Sequence, residues 1–294
     1  MLDLRLILVT ILWGVNFSAV KFALTDFYPL SFTIVRFSLA ALFLFAVMLW
    51  DREPFWIDRR DRGRLIMLGL VGITLYNILF MYGLQHTTAS NSALFIATSP
   101  LFAALAQARA KKERLTARGG SGLVLSTLGA VLIISSRTGG LSMTRENLGG
   151  DLLTLVAAYT WALYTMMAKP LLERYSPVKV TAYTMAAGAL LLLPFGLHQL
   201  AIQPWGAVSE MSWAALGYGA FLAGGVAYTL WYQGVKKVGA TKTIVYHYLM
   251  PFTAVVFAAV FLGERITVLQ IAGGAAVLVG VYLVQYKNGQ KGDG

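Results

Sequence analysis

A chain of 294 residues that is 57% apolar and only 13% charged is not a soluble domain, because soluble domains carry about 25% charged residues. Its mean hydropathy of +0.66 places it among the polytopic membrane proteins. The net charge of +11 does not predict a nucleic-acid partner, since the basic residues are spread over loops and chain ends without an aromatic-rich soluble module.

Apolar runs long enough to cross a hydrocarbon core of about 30 Å, which takes roughly 20 helical residues, recur along the whole chain. They are near-continuous and lack the alternation of a transmembrane barrel, so each run is predicted to be a helix. The expected fold is an all-α membrane protein with ten transmembrane helices. Their predicted spans are 4–24, 31–50, 65–85, 90–108, 119–136, 150–169, 178–200, 212–233, 241–262 and 266–286.

The first run is predicted to be a retained helix, because it is long, contains Trp13 and Asn16, and has no small-residue cleavage site. Arg36 lies inside the second run, close enough to the outer end either to reach the interface or to meet a carboxylate. The first half also places aromatic and amide side chains at membrane depth, namely Tyr76, Asn77, Phe80, Asn91 and Phe95.

Basic residues mark the orientation. If the amino terminus is cytoplasmic, 19 of the 24 lysines and arginines fall on the cytoplasmic side and four on the other, with Arg36 inside a run. Under the positive-inside rule this asymmetry predicts that both termini are cytoplasmic.

Two stretches of the chain repeat each other. Residues between Gly83 and Thr116 recur between Gly234 and Thr267 at an offset of 151 residues, which aligns Pro100 with Pro251. Five helices per half is an odd number, so the second half must enter the membrane in the opposite sense. We therefore predict two inverted five-helix repeats, 1–136 and 150–294, joined by a polar periplasmic linker, 137–149.

Each of these prolines falls within an apolar run, where it removes a backbone hydrogen bond and frees a carbonyl four residues earlier. For Pro100 and Pro251 those carbonyls belong to Ile96 and His247. A packing kink would explain one such proline. Their recurrence at equivalent positions favours interrupted helices that face a central site, with each proline as a hinge.

The second half supplies the counterparts of the first-half residues. A cavity walled by rings and edged by amides suits a ligand with an apolar or aromatic side chain and an uncharged or zwitterionic head. His247 is either a proton-coupling group or a hydrogen-bonded structural histidine. The second-half candidates for substrate binding, beside Trp13 and Asn16, are Trp161, Tyr164, Tyr246 and His247.

Small residues recur along the last run of each half. Their spacing allows close helix contact, either within the bundle or at a dimer face. The residues are Gly122, Ser126 and Ala130 in one run and Ala272, Ala276 and Gly280 in the other.

All thirteen acids fall in loops, in tails or near helix ends, so no carboxylate occupies the bilayer centre. A cation-drug site that relies on a buried acid lacks its counter-ion. The sequence also lacks HExxH, a phosphate-binding glycine loop, a cysteine nucleophile and an acidic metal cluster. We expect no catalytic residue, metal site or cofactor.

The segments Trp13-Gly14-Val15-Asn16-Phe17, 88–114 and 239–265 resemble the drug/metabolite transporter superfamily in its EamA-type branch, over essentially the whole chain. Within that branch the chain is similar to bacterial exporters of aromatic amino acids. The resemblance implies a ten-helix inner-membrane protein that moves amino acids and similar metabolites outward.

We therefore expect an exporter of neutral, preferably aromatic or otherwise hydrophobic, amino acids that works by alternating access. Its partners would be a small-molecule substrate and the lipid bilayer, with no nucleic acid, and the oligomeric state stays open, a monomer included. The alternatives are efflux of organic cations, drugs or another small metabolite, and, from a different class, a membrane enzyme or a non-transporting scaffold.

Overall fold

The computed structural model describes residues 3–87, 92, 95–109, 116–135, 145–253 and 267–285. Every regular element within these ranges is helical, so the all-α class is confirmed. Five helices are long and apolar enough to cross a membrane, and shorter apolar helices accompany them. The five are Pro29–Trp50, Arg59–Gln85, Ala117–Ser135, Pro177–Ile202 and Glu210–Val238.

The principal helices are numbered here in chain order. Short helical turns lie between some of them, at Lys169–Leu172, Trp205–Ala207 and Val245–Tyr248. The numbered helices are α1 (Leu4–Ala23), α2 (Pro29–Trp50), α3 (Arg59–Gln85), α4 (Ser99–Arg109), α5 (Ala117–Ser135), α6 (Leu148–Met167), α7 (Pro177–Ile202), α8 (Glu210–Val238), α9 (Ala240–Ile244) and α10 (Val268–Gln285).

Polar caps set the starts of several helices. Asp58 accepts a hydrogen bond from the Arg60 amide, and Ser209 accepts one from the Ser212 amide. Such caps satisfy amides that have no partner inside the helix. This is why α3 begins at Arg59 and α8 at Glu210, earlier than the apolar runs alone predict.

Two helices contain wide turns that were not predicted. Leu70–Leu75 of α3 and Tyr218–Val226 of α8 are π-helical, and they lie at matching positions in the two halves of the chain. A π-helical stretch disturbs the regular backbone ladder and is frequent at functional sites.

The helices next to the two aligned prolines are interrupted. Residues 97–98 form a turn directly before α4, which carries Pro100 in its first turn. Ahead of Pro251, the chain from Val245 to Tyr248 winds as a 3₁₀ helix. The interruptions that the prolines predict are therefore present on the amino-terminal side of each proline.

Charged residues gather on the membrane face that carries Asp3, which we call the amino-terminal face. Arg174 lies 2.6 Å from the buried carboxylate of Asp61, and the Tyr175 hydroxyl donates to that carboxylate at 2.9 Å. Burial raises the pKa of Tyr175, so its hydroxyl keeps the proton that it donates. Hydrogen bonding to Arg5 lowers the pKa of Asp3 to about 2, so Asp3 stays anionic near neutral pH.

The contacts of Asp61 with Arg174 and Tyr175 join α3 of the first half to the α6–α7 connection of the second half. Replacing Asp61 with asparagine should lower the free energy of unfolding by about 1–3 kcal/mol, since a charged hydrogen bond to a buried acceptor is lost. The Asp58→Asn control should lower the thermal midpoint much less, because the Asp58 side chain is 43% exposed and asparagine can keep its hydrogen bond to the Arg60 amide. Thermal unfolding in detergent measures both, and equal midpoints would contradict the account.

Helices α5 and α10 pack closely and antiparallel. Their small residues face each other within one chain: a methyl group added to Gly122 would lie 2.6 Å from the Gly280 carbonyl oxygen, and one added to Gly129 would lie 2.6 Å from that of Gly273. The Ser126 hydroxyl lies between these contacts, 3.5 Å from the Val277 carbonyl oxygen. Gly122, Ser126 and Gly280 of the predicted stripe therefore pack inside the bundle, together with Gly129 and Gly273, which were not predicted. Ala272 was predicted to belong to the stripe but is exposed, because the contact face of α10 runs through Gly273, Val277 and Gly280.

Gly122→Ala should lower the free energy of unfolding by about 1–3 kcal/mol, because the new methyl group meets backbone of the neighbouring helix. Gly120 is a matched control on the same helix, since nothing lies within 4 Å of a methyl group there. Gly120→Ala should be neutral or stabilise the helix by up to about 1 kcal/mol. A thermal midpoint that falls in neither variant would argue against this packing.

Candidate functional site

Aromatic rings from four helices and one 3₁₀ turn meet in the interior. We call this group the ring cluster. It draws on α1, α3, α6, α8 and the turn after α9, so both halves of the chain contribute. Its members are Trp13, Tyr76, Phe80, Trp161, Tyr164, Tyr228, Trp231, Tyr232 and His247.

Trp161 lies at the centre of the ring cluster. Its ring centroid is 5.4 Å from that of Trp13, 5.2 Å from that of Tyr76 and 5.6 Å from that of Tyr228. Most of these pairs are tilted or edge-on, as the ring quadrupoles favour. This arrangement joins the two halves through a wall of rings.

His247 is part of this wall. Its imidazole stacks on Trp161 at 5.2 Å with an interplanar angle of 20°, and its Nδ1 lies 3.1 Å from the Ser99 hydroxyl, next to Pro100. The hydroxyl and the ring packing hold the imidazole in place. These contacts explain a structural role of His247, and a role in proton coupling stays a hypothesis.

The Trp13 indole N–H donates to the Ala223 carbonyl at 2.9 Å, inside the π-helical stretch of α8. The corresponding N–H of Trp161 is buried without a partner in the described part of the chain. Buried polar atoms are normally paired, so unpaired ones at a central site are candidate ligand contacts. The atoms of this kind in and beside the ring cluster include Asn16 Oδ1, Arg36 Nε, Trp161 Nε1 and His247 Nε2.

Arg36 of α2 points into the protein rather than to the interface. It is 6% exposed, and among the described residues no acid forms an ion pair with it. Its guanidinium lies 4.6 Å from the centre of the Phe37 ring. The sequence left this orientation open, and the structure places a buried cation beside the rings.

The other predicted residues are distributed as follows. Asn77 is buried and donates its amide to the Ile73 carbonyl of its own helix at 2.7 Å. Tyr246 is buried, but its hydroxyl accepts from the Asp3 amide on the amino-terminal face and so points away from the ring cluster. Phe95 is half-buried at the interruption before α4, and Asn91 lies outside the described residues.

Three cluster members were not predicted. Tyr228, Trp231 and Tyr232 follow one another on α8 at helical spacing, which places them on one face. That spacing was a readable signal, although it indicates buried packing as readily as a binding wall.

A cavity of about 510 Å³ opens on the face opposite the amino terminus. Pro29 of α2 and both Met81 and Gln85 of α3 contribute to its lining, together with residues 24–28 and Pro204. Arg36 lies seven residues, or roughly 10 Å, further along α2, and Tyr76 lies below Met81 on α3. The cavity therefore lies above the site on the same two helices.

Among the described residues, no group of three or more His, Cys, Asp or Glu side chains could hold a metal ion. The indoles and phenols of the ring cluster, with the neighbouring guanidinium of Arg36, offer apolar faces, hydroxyl groups and a positive charge. Such a surface can bind a small molecule with a ring at one end and a polar or anionic group at the other.

Comparison with known proteins identifies the family. The model of the EamA-like transporter family matches residues 2–135 and again residues 148–286. An uncharacterized transporter of Archaeoglobus fulgidus is 32% identical over 98% of each chain. A probable terminal-alkyne amino-acid exporter of Streptantibioticus cattleyicolor is 29% identical over 95% of this chain and 91% of its own.

A solved crystal structure that is 20% identical in sequence aligns over 95% of this chain and 94% of the solved chain, with a TM-score of 0.81. The two chains therefore share a fold. Together with the apolar helices, the double family match shows a multi-pass membrane transporter and not an enzyme. The chain belongs to the EamA-like transporter family.

Proposed function

We propose that this protein exports neutral amino acids with aromatic or other hydrophobic side chains across the inner membrane of a bacterium, by alternating access. The observation that carries the proposal is the ring cluster, which both halves build around Trp161. Indole and phenol faces bind apolar and aromatic side chains.

The proposal includes ten transmembrane helices arranged as two inverted repeats, with both termini cytoplasmic. Contacts between α5 and α10 support it. At the repeat offset of 151, Gly122 corresponds to Gly273 and Gly129 to Gly280, yet Gly122 packs on Gly280 and Gly129 on Gly273. Such reciprocal contacts are what a two-fold axis between two copies produces.

The π-helical stretches also pack on helices that correspond in the two halves, although Gly72 and Gly219 are not themselves aligned at the offset of 151. Gly72 of α3 packs against Tyr164 of α6, and Gly219 of α8 packs against Asn16 of α1. Tyr164 follows Trp161 by three residues, as Asn16 follows Trp13, so the two residues correspond in the two halves. Paired helices that are interrupted at mid-depth are typical of transporters whose site lies between inverted repeats.

The probable terminal-alkyne amino-acid exporter of Streptantibioticus cattleyicolor is a distant relative, and its name supports amino acids as the substrate class of this chain. Organic-cation efflux, the first alternative, is disfavoured by the buried Arg36, because a positive charge beside the rings repels a cationic ligand. Another small metabolite with an apolar body remains the second candidate.

Uptake of labelled phenylalanine into proteoliposomes tests the proposal. We expect saturable uptake well above that of protein-free vesicles, reduced by unlabelled tryptophan or leucine. Uptake equal to that of protein-free vesicles for all hydrophobic amino acids would remove the proposal, and extrusion of ethidium from cells would favour the drug alternative.

The aligned prolines are proposed as hinges, since each follows an interrupted stretch of helix. Pro251→Ala should slow turnover several-fold, because a restored backbone hydrogen bond stiffens the helix at this point. Initial rates of phenylalanine uptake, normalised to the amount of reconstituted protein, provide the measurement. An unchanged rate at an unchanged affinity would count against a hinge.

A further inference from the structure

We propose that Arg36 binds the carboxylate of the transported molecule, and that this carboxylate, rather than the amine, is the head group on which recognition depends. The inference rests on the proposed transport function and deepens it. It makes hydrophobic carboxylic acids without an amine substrates of the same site.

The first support is the buried charge itself. Arg36 is 6% exposed, and its Nε has no hydrogen-bond partner within the described part of the chain. Each acid that the structure describes lies in a loop or near a helix end, and none of them forms an ion pair with Arg36. A buried cation is costly unless it is paired, which favours an anion supplied by the ligand.

The second support is the shape of the surroundings. The Phe37 ring lies 4.6 Å from the guanidinium carbon and covers one side of the group. Tyr76 and Tyr228 lie within electrostatic reach of the same charge. A planar guanidinium fits a carboxylate through two parallel hydrogen bonds, and nearby tyrosine hydroxyls can donate to the same anion.

Gly219 of α8 packs closely against both Arg36 and Asn16. A methyl group on Gly219 would lie 3.2 Å from Cδ of Arg36 and 3.5 Å from Oδ1 of Asn16. The unpaired Asn16 oxygen therefore lies beside the arginine, where it can accept from an ammonium group. A neutral amide contributes less than a charged pair, so the amine is predicted to be auxiliary.

The arginine also borders the ring cluster. Tyr76 lies 5.2 Å from Trp161, and Tyr228 lies 5.4 Å from Trp13, measured between ring centroids. A molecule with its carboxylate at Arg36 would therefore reach the rings with its side chain. Head and side chain are recognised by adjoining surfaces.

Four probes separate the head groups: phenylalanine, 3-phenylpropionate, phenylalaninamide and phenethylamine. Binding is measured by competition against labelled phenylalanine on the purified full-length protein. Phenylalaninamide and phenethylamine lack the carboxylate and should bind on the order of 100-fold more weakly than phenylalanine, as expected when a charged hydrogen-bonded pair is lost. The probe 3-phenylpropionate lacks only the amine and should bind about 10-fold more weakly or less. Phenylalaninamide that binds as well as phenylalanine would overturn the inference.

Arg36→Gln and Arg36→Lys test the residue, with Arg60→Gln as an exposed control at the start of α3. In a folded Arg36→Gln protein, binding of phenylalanine and 3-phenylpropionate should fall at least about 10-fold while phenylalaninamide is unaffected, and Arg36→Lys should recover part of the loss. Unchanged phenylalanine binding by folded Arg36→Gln would refute the role. Thermal unfolding and gel filtration report whether each variant is folded.

If neither Arg36 variant folds, Gly219→Ala serves instead, since its methyl group crowds Arg36 without removing the charge. The Gly219→Ala variant should bind phenylalanine and 3-phenylpropionate more weakly, with a smaller effect on the binding of phenylalaninamide. Equal losses of affinity for all three would contradict the inference. Transport of phenylalanine without dependence on the carboxylate would defeat this inference alone. Transport of 3-phenylpropionate without any amino acid would defeat the proposed amino-acid function and leave the carboxylate site standing.

Discussion

Replacing Trp161 with alanine is expected to abolish measurable phenylalanine transport and to lower the free energy of unfolding by about 3–5 kcal/mol, the range for deleting a large buried aromatic side chain. Trp161 is 2% exposed and lies at the centre of the ring cluster, so its loss leaves a cavity between the two halves. Proteoliposome uptake and thermal unfolding measure the two effects.

Two further variants separate transport from stability. Trp161→Phe keeps a ring at the centre, so the protein should fold and retain a weakened transport activity. Trp50→Ala should leave both properties nearly unchanged, because Trp50 is 88% exposed at the end of α2. Full transport activity in Trp161→Ala would show that the ring cluster is packing and not a binding wall.

The second large effect is expected at Gly72. The Tyr164 ring packs directly on this glycine, and an added methyl group would overlap with the ring. Gly72→Ala must therefore displace Tyr164, and with it the contacts to Tyr228 and Tyr232. We expect a destabilisation of about 1–3 kcal/mol from overpacking and a loss of transport on the order of tenfold or more.

Gly63 is the matched control for this substitution. It lies on the same helix, α3, and nothing lies within 4 Å of a methyl group there. Gly63→Ala should leave uptake and the thermal midpoint essentially unchanged. If Gly72→Ala behaves in the same way, the close approach of α3 to α6 does not shape the site.

The sequence predicts the helical class and part of the site because both depend on hydrophobic pattern. Trp13 and Trp161 were predicted from the repeat, and the structure brings them within 5.4 Å of each other. Tyr246 shows the limit of the pattern. It lies in a 3₁₀ turn, where successive side chains are about 120° apart instead of the 100° of an α-helix, and its hydroxyl meets the amino terminus of α1.

Local hydrogen bonding and packing decide other features that the sequence pattern does not predict. Asn77 was predicted to line the cavity, but its amide donates to the backbone of its own helix, an alternative that short polar side chains commonly use. The π-helical stretches also leave no signature, since they depend on how α3 and α8 pack against their neighbours. The spacing of residues along α2 also does not predict whether the Arg36 side chain reaches the membrane interface or the protein interior.

Counterflow of phenylalanine tests the central claim most directly, because it asks whether one ring-walled site is reached from both sides of the membrane in turn. Proteoliposomes loaded with unlabelled phenylalanine should take up labelled phenylalanine faster than empty ones, to a transient maximum. Uptake that is independent of internal phenylalanine and linear in its external concentration would contradict alternating access at a single central site.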